Sequence, residues 1–324
     1  MQHIEQYQEV FINYLKAYNL DKEPSNLYKP VNYILNLGGK RLRPVLTLMA
    51  SDIFDGKVNT ALNAALAVEV FHNFTLIHDD IMDDAPLRRG KATVHEKWDI
   101  NTGILSGDAM LILAYQLFEH YPPETYKALM TVFSQTALEV CEGQQYDIDF
   151  ETRNDVTIPE YLKMIEYKTA VLVAAAMKMG AIVAKASKAE QEAIYKFGKY
   201  LGIAFQLQDD YLDAFGNPET FGKQVGGDII ENKKTFLYLK TLELGNDDDR
   251  RKLIEFTNST SLNEPEKVTQ VKLLFEKTNA ATTTKKEIER YTAKAFDALN
   301  ALNISEKKKD ILRAFGQQLM NRNM

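Results

Sequence analysis

Apolar residues recur at three- and four-residue intervals along almost the whole chain, as in Val10 to Tyr18, Ala61 to Ile77 and Ile194 to Leu212. That spacing predicts amphipathic helices, about ten or more of them, and strand-type alternation is scarce. Glycine and proline fall mostly at the joints: Pro24, Pro30, Gly38-Gly39, Pro86, Pro122-Pro123, Pro159, Gly216 to Pro218 and Gly226-Gly227. Pro86 is expected to end the helix before it early. The stretch AVLVAAAMKMGAIVA, Ala170 to Ala184, is apolar or small on most faces and suits a central helix surrounded by others. No Pro/Ser-rich linker divides the chain, so one domain is expected. Gly245 to Thr282, richer in charge, reads as a looser hinge or a peripheral helix pair.

Composition narrows the class. With 45% hydrophobic and 26% charged residues the chain is globular rather than disordered. A net charge of -6 argues against generic nucleic-acid binding, so local basic clusters need their own explanation. The single cysteine, Cys141, excludes an intramolecular disulfide, favours a reducing cytoplasmic compartment and reads as a buried structural thiol. The N-terminal MQHIEQYQEVFINYLK lacks the apolar run of a signal peptide. No stretch approaches the roughly 18 to 20 apolar residues of a membrane span, so a soluble chain is expected.

The pattern Asp-Asp-x-x-Asp occurs twice, once in each half of the chain. In FHNFTLIHDDIMDD the spacing of Phe71, Phe74, Leu76 and Ile81 predicts a helix on which Asp79 and Asp83 stand one turn apart, with Asp80 beside them. Like charges at that spacing cost a few tenths of a kcal/mol per pair, so something must offset them. A solvated acidic helix end is the plain alternative. Against it, both triplets follow apolar stretches, and FQLQDDYLD from Phe205 to Asp213 repeats the arrangement. Two facing helices that present carboxylates inward would make a metal site of the kind carboxylate bundles use. An all-oxygen ligand set suits Mg²⁺, which keeps waters and bridges carboxylates to phosphate oxygens, so the expected ligand is a phosphate ester.

Three basic groups lie near turns: GGKRLRP at Gly38 to Pro44, LRRGK at Leu87 to Lys91, and GKQVGGDIIENKK at Gly222 to Lys234. Paired glycines let the backbone approach an anion, and arginine offers a planar fork to phosphate oxygens. Taken singly, each would be solvated surface charge. However, Arg88 and Arg89 follow the first aspartate cluster and Lys223 and Lys233 the second, so cations and metal are expected at one mouth.

In order over roughly residues 30 to 240, GGKRLRP, DDIMDDAPLRRG, EYKTA, FQLQDDYLD and GGDIIENKKT resemble the trans-type prenyl diphosphate synthases. The resemblance implies one all-α helical bundle over residues 1–324 with a central cavity, commonly a homodimer. It implies condensation of an allylic diphosphate with isopentenyl diphosphate, with Mg²⁺ as cofactor, about three ions once substrate is bound. The implied metal ligands are Asp79, Asp80 and Asp83 beneath the allylic diphosphate, and Asp209 with Asp213 opposite. Arg88, Lys168, Lys223 and Lys233 are implied to grip that same diphosphate. Thr169 and Gln206 match positions that point oxygens at a developing carbocation, so the implied catalytic group is Asp79, Asp209, Lys168, Thr169 and Gln206. Isopentenyl diphosphate is implied to sit on a metal-free basic site of Gly39, Lys40, Arg43, His72 and Arg89, with Phe205 against its tail. His72 lies two turns before Asp79 and so on the same face. His78, His95 and Trp98 read as structural.

In such a reaction the diphosphate leaves with negative charge while the hydrocarbon becomes a cation that water must not reach. The departing diphosphate is then a plausible base for the final proton. The implied floor of the elongation cleft is Phe71, Phe74 and Thr75, about 12, 7.5 and 6 Å along the helix from the Asp79 level. An aromatic five residues before the motif and a small residue at four resemble geranylgeranyl more than farnesyl synthases, although both phenylalanines also fit an ordinary core. Two rivals remain. A class I terpene cyclase would carry an Asn/Ser/Glu motif where Asp209 to Asp213 stands, and a non-catalytic partner subunit would have no need of both intact triplets.

Overall fold

The computed structural model describes residues 2–217, 225–259 and 262–321. Among them the chain is helical almost throughout, as the spacing predicts, and the fold is all-α. The helices are α1 Gln2–Ala17, α2 Ser25–Asn36, α3 Leu42–Ile53, α4 Leu62–Met82, α5 Val94–Lys97, α6 Ile100–Gln116, α7 Pro123–Thr152, α8 Ile158–Ile165, α9 Val171–Val183, α10 Lys188–Phe215, α11 Gly227–Ile230, α12 Phe236–Leu244, α13 Asp247–Asn258, α14 Glu264–Lys277, α15 Ala280–Asn300 and α16 Glu306–Met320. The sheet described is a small antiparallel hairpin, β1 Leu87–Arg88 with β2 Lys91–Ala92. Its two-residue loop has positive φ at both Arg89 (53°) and Gly90 (73°), the backbone a tight hairpin turn requires. The chain divides into two compact units: Met1–Gln135 with Ala175–Ile194, and Thr136–Ala174 with Tyr195–Met324.

In the first unit α4 is the central helix, packed against α6 and α3 and touching α1, α2 and α5. Every residue from Ala64 to Phe71 is buried, including Glu69. Phe71, Phe118 and Phe133 are fully buried and meet edge-on, with Phe74 and Tyr115 completing the cluster. Contrary to the expectation from apolar runs, Val58–Met82 is long and apolar enough, by length and composition, to cross a bilayer. It is a core helix: 67% of its 18-residue apolar window is buried inside the protein. It ends at Met82, with the Asp83 N–H capping onto the Asp79 carbonyl, and Asp84 turns the chain at a φ of 48° before Pro86 is reached.

The second unit is built around the C-terminal half of α10 and the helices that follow. Thr157 and Glu160 form a reciprocal cap at the start of α8, with Pro159 in its first turn, so the proline marks a helix start as its fixed φ allows. The charge-rich stretch after Gly245 forms α13 and α14, packed on each other, and α14, which buries Val271, Leu274 and Phe275, also packs on α15. Between α8 and α9, Glu166–Ala170 is a single π-helical turn. It is seated on Gly143 of α7, where a Cβ would lie 2.2 Å from the Lys168 backbone nitrogen, so only glycine fits. Cys141 corrects one expectation: it is exposed. The buried stripe of α7 runs through Phe133, Thr136, Ala137, Val140, Gly143 and Phe150, and Cys141 falls about 100° off it, one residue past Val140.

Candidate active site

The first aspartate cluster closes α4. Its members are not equivalent. Asp80 is 1% exposed and takes a forked ion pair from Arg88, whose Nε lies 2.7 and 2.8 Å from its two oxygens and whose Nη2 lies 2.6 Å from Oδ1. Burial pushes the Asp80 carboxyl above its ordinary range, with Arg88 opposing the shift and Asp79 adding to it. Asp79 is part-exposed, 3.8 Å from Arg88, and Asp83 lies at the exposed helix end. Thr75 donates to the His72 carbonyl at 2.8 Å, and Phe74 stacks edge-on against His78 at 4.8 Å.

The two glycine-arginine turns of this unit meet. Gly38 and Gly39 have φ of 81° and 115°, and Arg89 donates to the Gly38 carbonyl. A Cβ on Gly39 would lie 2.7 Å from the Arg89 guanidinium carbon, so a side chain there would strain the turn at its φ of 115° and displace the Arg89 head group. Arg43 donates to His72 Nε2 at 3.2 Å, and its Nε is buried without a hydrogen-bond partner. Burial, then the charges of Arg43, Arg89, Arg88 and Arg41, push His72 well below its usual pKa, so its imidazole is neutral. Burial also lowers Arg43 and Arg89. This crowding of guanidinium groups favours an incoming anion. Lys40 is exposed, with its carbonyl accepting from Gln8 at 3.3 Å. Arg41 points elsewhere: it is buried and pairs with Glu69 and the Leu35 carbonyl, while Asn73 also donates to Glu69 at 3.0 Å.

In the second unit a cavity of about 240 Å³ opens beside α10. Asp147, Asp209, Asp210, Asp213 and Asp228 line it, facing Lys168, Lys233 and Lys234. Asp210 is the inner member of its triplet, accepting from the buried Tyr161 hydroxyl and from Gln206 Nε2 at 2.9 Å. Burial, then the charge of Asp228, raises its pKa well above the usual carboxylate range. Gln206 Oε1 in turn accepts from the Thr169 hydroxyl at 3.1 Å, so Thr169, Gln206, Asp210 and Tyr161 form one chain. The π-turn places Lys168 and Thr169 on this cavity, a wide turn of the kind often found at functional sites. Lys168 is 2.5 Å from Asp147. Asp213 accepts from the Asp228 backbone N–H at 3.0 Å, which ties α11 to the end of α10. Lys233 pairs with Glu231 at 2.8 Å and Asp228 at 3.8 Å; burial works to lower its pKa, but the two carboxylates override it and raise it.

Of the residues expected from the sequence, Gly39, Arg43, His72, Arg88 and Arg89 come together in the first unit and Lys168, Thr169, Gln206, Asp209, Asp213 and Lys233 in the second. Phe205 is half-buried on α10, and Lys223 lies outside the described residues. Asp147, Tyr161 and Asp228 join the cavity without any expectation; only the GGDIIENKK motif around Asp228 carried a signal for one of them.

The family model described as polyprenyl synthetase matches residues 24–276. A crystal structure of a geranylgeranyl pyrophosphate synthase is 56% identical, covers 99% of both chains and superposes with a TM-score of 0.95. The geranylgeranyl diphosphate synthase of Methanosarcina mazei is 45% identical over 224 residues, 68% of this chain and 69% of that one. The geranylfarnesyl diphosphate synthase of Natronomonas pharaonis is 41% identical over 244 residues, 70% of this chain and 72% of that one.

Proposed function

The chain belongs to the polyprenyl synthetase family and is a short-chain trans-prenyltransferase, and from that premise we propose that it condenses an allylic diphosphate with isopentenyl diphosphate, with Mg²⁺, to give geranylgeranyl diphosphate. The observation that carries this reading is that the chain builds two different anion-binding chemistries. One is carboxylate-rich with lysines, around Asp209 and Asp213; the other is an arginine group around His72, in which Arg43 keeps an unpartnered buried Nε. A metal-bridged diphosphate suits the first, and a metal-free diphosphate suits the second.

The donor sets fit Mg²⁺. They are all oxygen, and around the cavity the carboxylates outnumber the ammonium groups. Asp79, Asp80 and Asp83 would hold the ion on α4, and Asp209 with Asp213 on α10. When bound, Mg²⁺ supplies Lewis-acid polarisation of the diphosphate oxygens. The protein's own groups do the rest. Lys168 and Lys233 place fixed positive charge at a diphosphate held beside α10, and Arg88 does so at the cluster on α4. Asp147 and Asp228 hold the two lysines in position in the meantime. Because the Thr169 hydroxyl hydrogen is committed to Gln206, its oxygen lone pairs are available to a developing carbocation. Gly39, Lys40, Arg43, His72 and Arg89 take isopentenyl diphosphate, with neutral His72 orienting Arg43.

Incubating the purified protein with Mg²⁺, isopentenyl diphosphate and each allylic diphosphate, then sizing the products, tests the reading. Geranylgeranyl diphosphate is the expected main product; consumption of the allylic substrate without isopentenyl diphosphate would instead show a cyclase. In the same assay Phe74→Ala is expected to move most of the product to at least one five-carbon unit longer, since Phe74 stands five residues before the motif beside the part-buried Thr75. An unchanged product length removes Phe74 from the cleft floor.

A homodimer belongs to the same proposal. Helix α6 exposes Ile100, Ile104, Leu105 and Ile112 at 55%, 41%, 59% and 58%, an apolar stripe of the sort that a second copy covers. Ile112→Glu is expected to shift the sedimentation coefficient from dimer to monomer; a wild-type chain that sediments as a monomer at micromolar concentration overturns the assembly. The cytoplasm is the proposed compartment, and cell fractionation checks it.

A further inference from the structure

One residue past Asp83 the chain turns at Asp84, forms the β1–β2 hairpin and enters α5, which carries His95 and Glu96. A ring nitrogen of His95 and one carboxylate oxygen from each of Asp84 and Glu96 lie within 4.8 Å of one another. His95 Nε2 is 3.9 Å from Glu96 Oε1, too far for a hydrogen bond. His95 is only 8% exposed, and neither of its ring nitrogens has a hydrogen-bond partner. A buried imidazole in that state has given up its hydrogen bonds to water and regained none, which is uncommon in a folded chain unless a ligand completes the group. Asp84 and Glu96 are both exposed, so side-chain rotation alone can bring their oxygens onto an ion beside the ring.

We propose that Asp84, His95 and Glu96 bind one divalent transition-metal ion of the zinc type. The ring nitrogen decides the class: Mg²⁺ seeks an all-oxygen shell, whereas zinc and its neighbours take imidazole readily alongside carboxylate. Three protein ligands leave one position for water. The ion ties the residue that follows the first aspartate cluster to α5 and so closes both ends of the segment that carries Arg88 and Arg89. Its role is to order that segment, and it takes no part in the aspartate clusters themselves.

The test is equilibrium dialysis of the intact protein against Zn²⁺ in excess Mg²⁺, which occupies the all-oxygen sites, with Co²⁺ absorption reporting nitrogen ligation. One Mg²⁺-resistant equivalent of Zn²⁺ is expected. Glu96→Gln and Asp84→Asn, both at exposed positions, should each weaken it at least about tenfold, and His95→Gln should abolish it together with the Co²⁺ band. Asp83→Asn should leave it unchanged. The proposal is overturned if no Mg²⁺-resistant equivalent binds, or if Zn²⁺ is lost in Asp83→Asn while Glu96→Gln retains full affinity, which would put the ion on the aspartate cluster.

Discussion

Asp209→Asn is expected to lower turnover by about three orders of magnitude while leaving the fold intact. The size follows from the charge balance of the cavity. Breaking a carbon-oxygen bond to diphosphate concentrates negative charge, and a metal ion that meets it is worth several kcal/mol; about 4 kcal/mol corresponds to about a thousandfold. Asparagine keeps the shape of Asp209 and removes the anionic oxygen a hard cation needs. Asp79→Asn should fall by a similar factor for the same reason on α4. The Mg²⁺ concentration for half-maximal rate should rise in both variants, a change that a merely structural role would not produce. Asp210→Asn offers the contrast. Its carboxyl is enclosed by Tyr161 and Gln206 and already driven toward the protonated form by burial, so an amide there loses less metal affinity and more packing. Full turnover and an unshifted Mg²⁺ requirement in Asp209→Asn would remove the second cluster from the metal site.

The helices were legible because each long one keeps a single periodic face. From Ala61 to Ile77 the spacing alone predicts the helix that α4 turns out to be. Adjacent residues were less legible. The sequence cannot say which of Asp209 and Asp210 faces Tyr161, because that depends on the rotation of α10 against α8, and the partner lies 49 residues away. Cys141 shows the same limit on α7, where one residue of phase separates the buried stripe from solvent. Asp147 was invisible for another reason: its role comes from a lysine on a π-turn, and nothing local in GQQYDIDF announces either. The basic turns were legible as a group, since GGKR and LRRG carry both glycine and arginine. Their division of labour was set by packing.

That division predicts the largest effect on stability. Arg41→Met is expected to destabilise the protein by about 3–5 kcal/mol, the usual cost of leaving one member of a buried ion pair alone. The side chains of Arg41 and Glu69 are 4% and 2% exposed, so Glu69 would be left charged inside α4 with Asn73 as its remaining side-chain partner. Chemical denaturation would show this as a lower midpoint with little change in slope. Arg41→Met combined with Glu69→Leu should recover most of the loss, because a buried pair and a packed apolar pair of similar volume differ little in free energy. The kinetic counterpart separates Arg41 from its neighbour. At a temperature where the variant is folded, Arg41→Met should keep the KM for isopentenyl diphosphate within about threefold, less than 1 kcal/mol, whereas Arg43→Met should raise it by one to two orders of magnitude, since Arg43 has an unpartnered buried nitrogen and Arg41 has none. A large KM effect from Arg41→Met with an unchanged denaturation midpoint would mean that the guanidinium serves the substrate and not the core. In the GGKRLRP segment residues two apart thus part ways: Arg41, at a left-handed φ of 49°, anchors the turn onto α4 through Glu69, and Arg43 is the residue proposed to meet isopentenyl diphosphate.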